Sequence, residues 1–457
     1  MKTRLEKDSV GELAVPVDAY YGVQSQRGYN NFQISGRLMH PTFIKNITLI
    51  KKAAAKTNGK YGYISKDIEG AICTACDEIL EGKFDDQFIT DAIQGGAGTS
   101  VNMNVNEVIA NRATELLGGT KGDYICHPND HVNMAQSTND VIPTAGKMTT
   151  LDLSKSLLEN LENLISSLEE KAAEFDDVVK MGRTQLQDAV PIRLGQEFQA
   201  YANVLKRDHA RIKTALSGVQ VVNLGGTAIG TAINAKKNYL QGIVPTLAKE
   251  CGHPLTQAED LIDSTQNLDG FVAVSATLKT CAVNLSKISN DLRLMSSGPK
   301  TGLAEITLPA KQNGSSIMPG KINPVIPEVV SQVAFLVVGN DMTVTMAAEG
   351  GQLELNAFEP VIFYKLFESL TCLANAVKTL TINCVEGITA NRERCEELLH
   401  SSVGVVTALC PYIGYKKAAE IAKESLKTGK KVEELVLSYG LMDKETLEKV
   451  LDPYKMT

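Results

Sequence analysis

Between Val329 and Asn340 the sequence carries no charged residue, and between Phe271 and Leu285 its only charge is Lys279. As helices, such runs are apolar on nearly every side, and helices of that kind are wrapped by other helices. Ser275, Thr277, Thr280, Asn284, Ser331 and Gln332 interrupt them. Neither run therefore reaches the roughly 18 to 20 unbroken apolar residues of a membrane span. Both are expected at the centre of a large helical bundle, within one chain or shared between subunits.

The rest of the chain fits around that centre. Leu157, Leu161, Leu164, Leu168 and Phe175 recur at helical spacing with Glu and Lys between them, the pattern of a bundle helix with one buried face. Leu194, Phe198, Tyr201 and Leu205 repeat it just after Pro191. The expected domains are a mixed, mostly helical one over 1–140, a central helical bundle over 141–395 and a small helical module over 396–457. Gly429 and Gly440 are the expected helix stops in the last of these.

The net charge of −7 excludes nucleic acid as an expected partner, and an anionic substrate would have to be drawn in by local positive groups. Lys416, Lys417, Lys423, Lys427, Lys430 and Lys431 alternate with Glu420, Glu424, Glu433 and Glu434, as on a solvated helical surface. Nine cysteines, an odd number, and an opening stretch without an apolar signal-peptide core point to reduced thiols in the cytoplasm. Cys73 and Cys76 form a lone C-x-x-C pair, and the six histidines include no H-E-x-x-H, so no metal is expected.

Four polar stretches carry chemistry. Gly314-Ser315-Ser316-Ile317-Met318-Pro319-Gly320-Lys321-Ile322-Asn323-Pro324 sets two hydroxyls, an ammonium and a carboxamide between flexible glycines, ahead of a helix that Pro324 and Pro327 suit. A helix start with convergent donors is a place for a small anion. Gly95 to Asn104 is glycine-rich but lacks the Gly-Lys-Ser/Thr ending of a phosphate loop. His127 to Asp140 is dense in side-chain donors and acceptors, and Met181 to Pro191 lies just ahead of a helix. Asn223 to Thr231 reads as a structural turn.

The first of these stretches matches the signature Gly-Ser-x-x-Met-x-x-Lys-x-Asn, and the chain resembles the fumarase/aspartase superfamily. The resemblance covers nearly the whole chain, with Gly95–Asn104, His127–Asp140, Gly182–Pro191 and the signature in the superfamily's order. Similarity to its ammonia-lyase branch rests on Lys180 to Pro191, Asn323 to Val330, Met346 to Glu349 and Gly387 to Asn391. Fumarases usually carry His where Gln185 stands, as do some ammonia-lyases, so the Asn-Pro-Val-Ile-Pro-Glu flank discriminates better.

The resemblance implies a mainly α, three-domain fumarase/aspartase-like fold whose central long-helix bundle assembles into a homotetramer, with active sites shared between three subunits. It implies cofactor-free elimination of ammonia from L-aspartate through an aci-carboxylate dianion, with Ser315 as general base. Thr99, Ser137, Thr138 and Ser316 match positions that hold the side-chain carboxylate. Lys321 and Asn323 match those for the α-carboxylate, Asn139 and Thr184 those for the amino group, and Gln185 is counted with the substrate-binding residues. Glu328 could orient Gln185. Fumarate hydration, or an inactive helical protein of the same fold, are the alternatives.

Overall fold

The computed structural model describes residues 2–457 and is mainly helical. An antiparallel pair, β1 (Thr3–Lys7) and β2 (Glu12–Pro16), opens the chain. Helices α1 (Val23–Asn31), α2 (Pro41–Lys60), α3 (Lys66–Leu80) and α4 (Thr99–Leu116) follow. A single π-helical turn, Pro128–Val132, leads to α5 (Thr138–Glu174). The hairpin β3 (Val179–Thr184) and β4 (Gln187–Arg193) precedes α6 (Leu194–Gly218). Next come β5 (Val221–Val222), α7 (Lys237–Cys251), β6 (Thr256–Gln257), α8 (Asp263–Gln266) and α9 (Asp269–Met295). The strand β7 (Ile306–Thr307) leads into the signature loop, which ends at α10 (Val325–Glu349). After α11 (Glu359–Asn383), β8 (Thr389–Ala390) pairs with β7. The chain closes through α12 (Arg392–Ser401), α13 (Cys410–Ile413), α14 (Tyr415–Thr428), α15 (Val432–Ser438) and α16 (Lys444–Val450).

Local chemistry explains the ends of these helices. Pro41 starts α2, and the His40 side chain accepts from the Thr42 N–H, so no first-turn donor is wasted on the proline. Ser65 caps α3 by accepting from the Ile68 N–H, with Asp67 and Glu69 at the positive end of the helix dipole. Gly429 closes α14 at φ +74°, and Gly440 follows α15 at φ +60°.

Chain contacts divide the protein into two units. The first comprises Met1–Leu158, Ala210–Thr280 and Phe335–Ala374; the second comprises Glu159–His209, Cys281–Ala334 and Asn375–Thr457. The core of the first is aromatic. Phe363 lies 5.3 Å from Phe43 and 5.1 Å from Phe271, ring centre to ring centre, and stacks on Phe367 at 5.6 Å. This packing needs Gly146 on α5, where an added Cβ would stand 2.3 Å from the Phe363 ring. In the second unit Phe175, Phe198 and Tyr201 meet edge to face, and Leu409, Ile421, Val432, Leu435, Val436, Leu447 and Leu451 form the core of the C-terminal helices.

The charge-free run lies within α10, as its composition predicts, yet the chain does not wrap that helix fully. Phe335, Val338, Met342 and Met346 are 69%, 41%, 63% and 61% exposed along one stripe. By length and composition α10 could cross a membrane. Its other side, however, buries Asn340 and Asp341, with Asp341 accepting from Ser275 and pairing with Lys279.

Candidate active site

Four of the ten expected site residues lie in the first unit and six in the second. In the first, Gly96, Ala97 and Gly98 all take positive φ, turning the chain sharply so that exposed Thr99 opens α4. The Thr99 hydroxyl donates to the Gly96 carbonyl at 2.7 Å. Half-buried Ser137, Thr138 and Asn139 stand together at the start of α5. Ser137 accepts from the Asn139 N–H, the Asn139 amide donates to the Ala228 carbonyl at 2.7 Å, and Thr138 accepts from the Asn102 amide at 3.2 Å. Because Asn102 sits in the first turn of α4, that bond joins the two helix starts.

Beneath them lies a polar network that sequence reasoning missed. Lys51, fully buried on α2, donates to Asn133 Oδ1 at 2.8 Å and Gln136 Oε1 at 3.0 Å. Asn102 and Asn106 donate to the same Asn133 oxygen. Burial pushes the Lys51 ammonium down to about 7, the nearby Asp140 charge opposing the fall. Burial pushes the Asp140 carboxyl up to about 6, against hydrogen bonds that favour its charge. Two of these come from the N–H groups of Gly225 and Thr227, each 3.0 Å from Oδ2. The glycine-rich connection is thus a backbone grip on a carboxylate at the base of the Ser137–Asn139 loop. The available sequence signal was a lysine among Ile47, Ile50 and Ala54 on the buried face of α2.

In the second unit Thr184 and Gln185 are exposed at the tip of the β3–β4 hairpin. Gln185 and Leu186 form the two-residue turn with φ of +54° and +63°. The signature loop is tied at its base, where the Gly314 N–H donates to the Lys321 carbonyl and the Asn323 amide to the Gly314 carbonyl at 2.7 Å. Above that tie, the Ser315 hydroxyl oxygen accepts from the N–H groups of Ile317 at 3.3 Å and Met318 at 3.0 Å. Two amides aimed at one oxygen favour its ionised form. Ser316 and Lys321 are exposed, and Lys321 makes no ion pair or side-chain hydrogen bond among the described residues. Lys321 and Asn323 line a cavity of about 640 Å³ with Arg293, Ser297 and Asn391. Glu328, in the first turn of α10, does not hydrogen-bond Gln185.

His127 caps the π-helical turn by accepting from the N–H groups of Asn129 and Asp130, and His131 accepts from the His127 N–H. Among the described residues, no group of three or more His, Cys, Asp or Glu side chains could hold a metal ion. All nine cysteines are free.

Comparison with known proteins bears on this geometry directly. A family model described as lyase matches residues 11–339, and one described as fumarase C C-terminus matches 405–457. The chain belongs to the fumarase/aspartase superfamily of lyases. Among superfamily members, an aspartate ammonia-lyase of Bacillus subtilis is 52% identical over 99% of this chain and 96% of its own length. A Brucella melitensis fumarate lyase:delta crystallin structure superposes with a TM-score of 0.96 at 50% identity, covering 100% of this chain and 99% of that one. A class II fumarase of Schistosoma mansoni reaches the same TM-score at 35% identity, again over 100% and 99% of the two chains. Both solved structures share this chain's backbone.

Proposed function

We propose that the chain is a carbon–nitrogen lyase that reversibly converts L-aspartate to fumarate and ammonia. The observation that carries this reading is the half-identity to aspartate ammonia-lyases along nearly the entire chain, against 35% to a fumarase of the same fold.

The chemical difficulty is the C3 proton, which is barely acidic beside a carboxylate already negative. Ser315, as alkoxide, takes that proton; the electron pair moves into the adjoining carboxylate to give an aci-carboxylate dianion. The pair then returns to form the carbon–carbon double bond as the C2–N bond breaks and ammonia leaves. The Ile317 and Met318 amides support the alkoxide. Thr99, Ser137, Thr138 and Ser316 hold the side-chain carboxylate, each donor worth a factor of about 100 to 1,000 in rate. Lys321 and Asn323 hold the α-carboxylate, the Asn323 amide exchanging the Gly314 carbonyl for substrate. Asn139 and Thr184 contact the amino group, and Gln185 binds substrate beside them.

The protein is proposed to work as a cytoplasmic homotetramer with sites assembled from three subunits. The exposed stripe of α10 supports the assembly, and nine free thiols support the compartment. A Ser315→Ala variant tests the mechanism: fumarate formation is expected to fall by about 1,000-fold or more while a non-reacting dicarboxylate still binds. A variant retaining wild-type turnover would remove Ser315 from the mechanism.

A further inference from the structure

A buried charge network in the second unit joins two of the site segments, and the mechanism above does not use it. Arg183 immediately precedes Thr184 on β3, and its Nη1 donates to Glu305 Oε1 at 2.7 Å and to the Met181 carbonyl at 3.2 Å. Glu305 is completely buried. Lys180, also buried, places its Nζ 2.9 Å from Glu305 Oε2 and 3.0 Å from Glu197 Oε2. Two cations and two carboxylates balance.

The backbone of Glu305 is fixed as firmly as its side chain. Its N–H donates to the Met295 carbonyl and its carbonyl accepts from the Asn391 N–H, while the Asn391 amide holds the Ala304 carbonyl and Thr307 donates to Asn391 Oδ1. This knot is the root of the signature loop, since β7 begins at Ile306. Gly387 belongs to it too, for a Cβ there would stand 2.5 Å from Pro309.

Stability alone is a poor reason for such a network, because buried ion pairs are often replaceable by apolar residues at no net loss. Its location supplies a better one. The tip turn is held at two positive-φ non-glycine residues, a costly conformation that surrounding structure must impose. We propose that Arg183 and Glu305 are positioning residues: the pair clamps the hairpin to the root of the signature loop and so sets where Thr184, at the hairpin tip beside Gln185, meets the amino group. This inference rests on the proposed ammonia-lyase reading.

The test uses the full-length protein and an Arg183→Gln variant. Turnover in the reverse direction separates the two substrates. A clamp at the amino-group side predicts that KM for ammonia rises about tenfold while KM for fumarate is unchanged, and that Arg183→Lys recovers most of the loss. In parallel, the Gln185 and Leu186 amides are expected to exchange hydrogen about tenfold faster in Arg183→Gln, with α6 unaffected. Equal rises in both KM values, or faster exchange throughout the unit, would make the pair a mere stabiliser and overturn the proposal. Should Arg183→Gln not fold, Glu305→Gln carries the test, with tip exchange and KM for ammonia identical to wild type overturning the proposal. A wild-type protein silent toward these substrates would refute the ammonia-lyase reading, while the exchange measurement would still decide the clamp.

Discussion

At the scale of single residues, Lys51 and Ser315 show how burial and backbone donors set charge. Lys51 has two neutral oxygens as partners and no adjacent carboxylate at bonding distance, so burial dominates and its pKa falls from 10.5 to about 7. Between about 7 and 10.5 the unfolded chain therefore binds the extra proton. The Lys51 contribution to stability rises with pH through that window, by about 1.4 kcal/mol per unit at most. Urea midpoints of wild type and Lys51→Met at pH 7 and 9.5 check this: the wild type should gain on the variant as pH rises, and a constant difference would contradict it. Neither that burial nor the amides beneath Ser315 could be read from residue identity, because both depend on which groups the fold brings near. Ser315, Lys321 and Asn323 were singled out by the resemblance to the superfamily signature; the Asn323 latch onto Gly314 was not legible in the sequence.

At the scale of elements, the close approach of α5 and α11 depends on Gly146. Gly146→Ala gains helix propensity but drives a Cβ into the Phe363 ring, and the net cost is expected at about 1–2 kcal/mol in chemical denaturation. An unchanged midpoint would mean that the aromatic core yields freely. The signature loop behaves oppositely. Ile317 is 84% exposed, and Gly320 takes φ +80° between a fixed root and α10. Proteolysis within this loop is expected to slow when a dicarboxylate binds, and cleavage insensitive to it would count against closure. The long helix α5 was legible because apolar periodicity survives over many turns, and α9 and α10 because long runs nearly free of charge read as wrapped helices. The β3–β4 hairpin was not, since Gln185-Leu186 replaces the Asn-Gly or Asp-Gly that announces such a turn. The Asn223–Thr231 turn was legible as a turn, while its grip on Asp140 required tertiary structure.

At the scale of the whole molecule, α10 carries a long charge-free run, and the single chain leaves an apolar stripe of that helix uncovered. That surplus is the physical argument for assembly: exposed apolar surface of this kind marks a protein interface. Replacing Phe335 and Met342 together by Glu is expected to lower the mass measured by light scattering from a tetramer to smaller species, with activity lost in step; a fully active monomer would contradict shared sites. The relatives bring the reaction itself within reach of one observation. Purified protein is added separately to L-aspartate and to L-malate, and the ultraviolet absorbance of fumarate is followed. The account predicts signal from L-aspartate and none from L-malate. Signal from L-malate with none from L-aspartate would contradict it and make the protein a hydratase, and silence from both would leave the fold without the proposed chemistry.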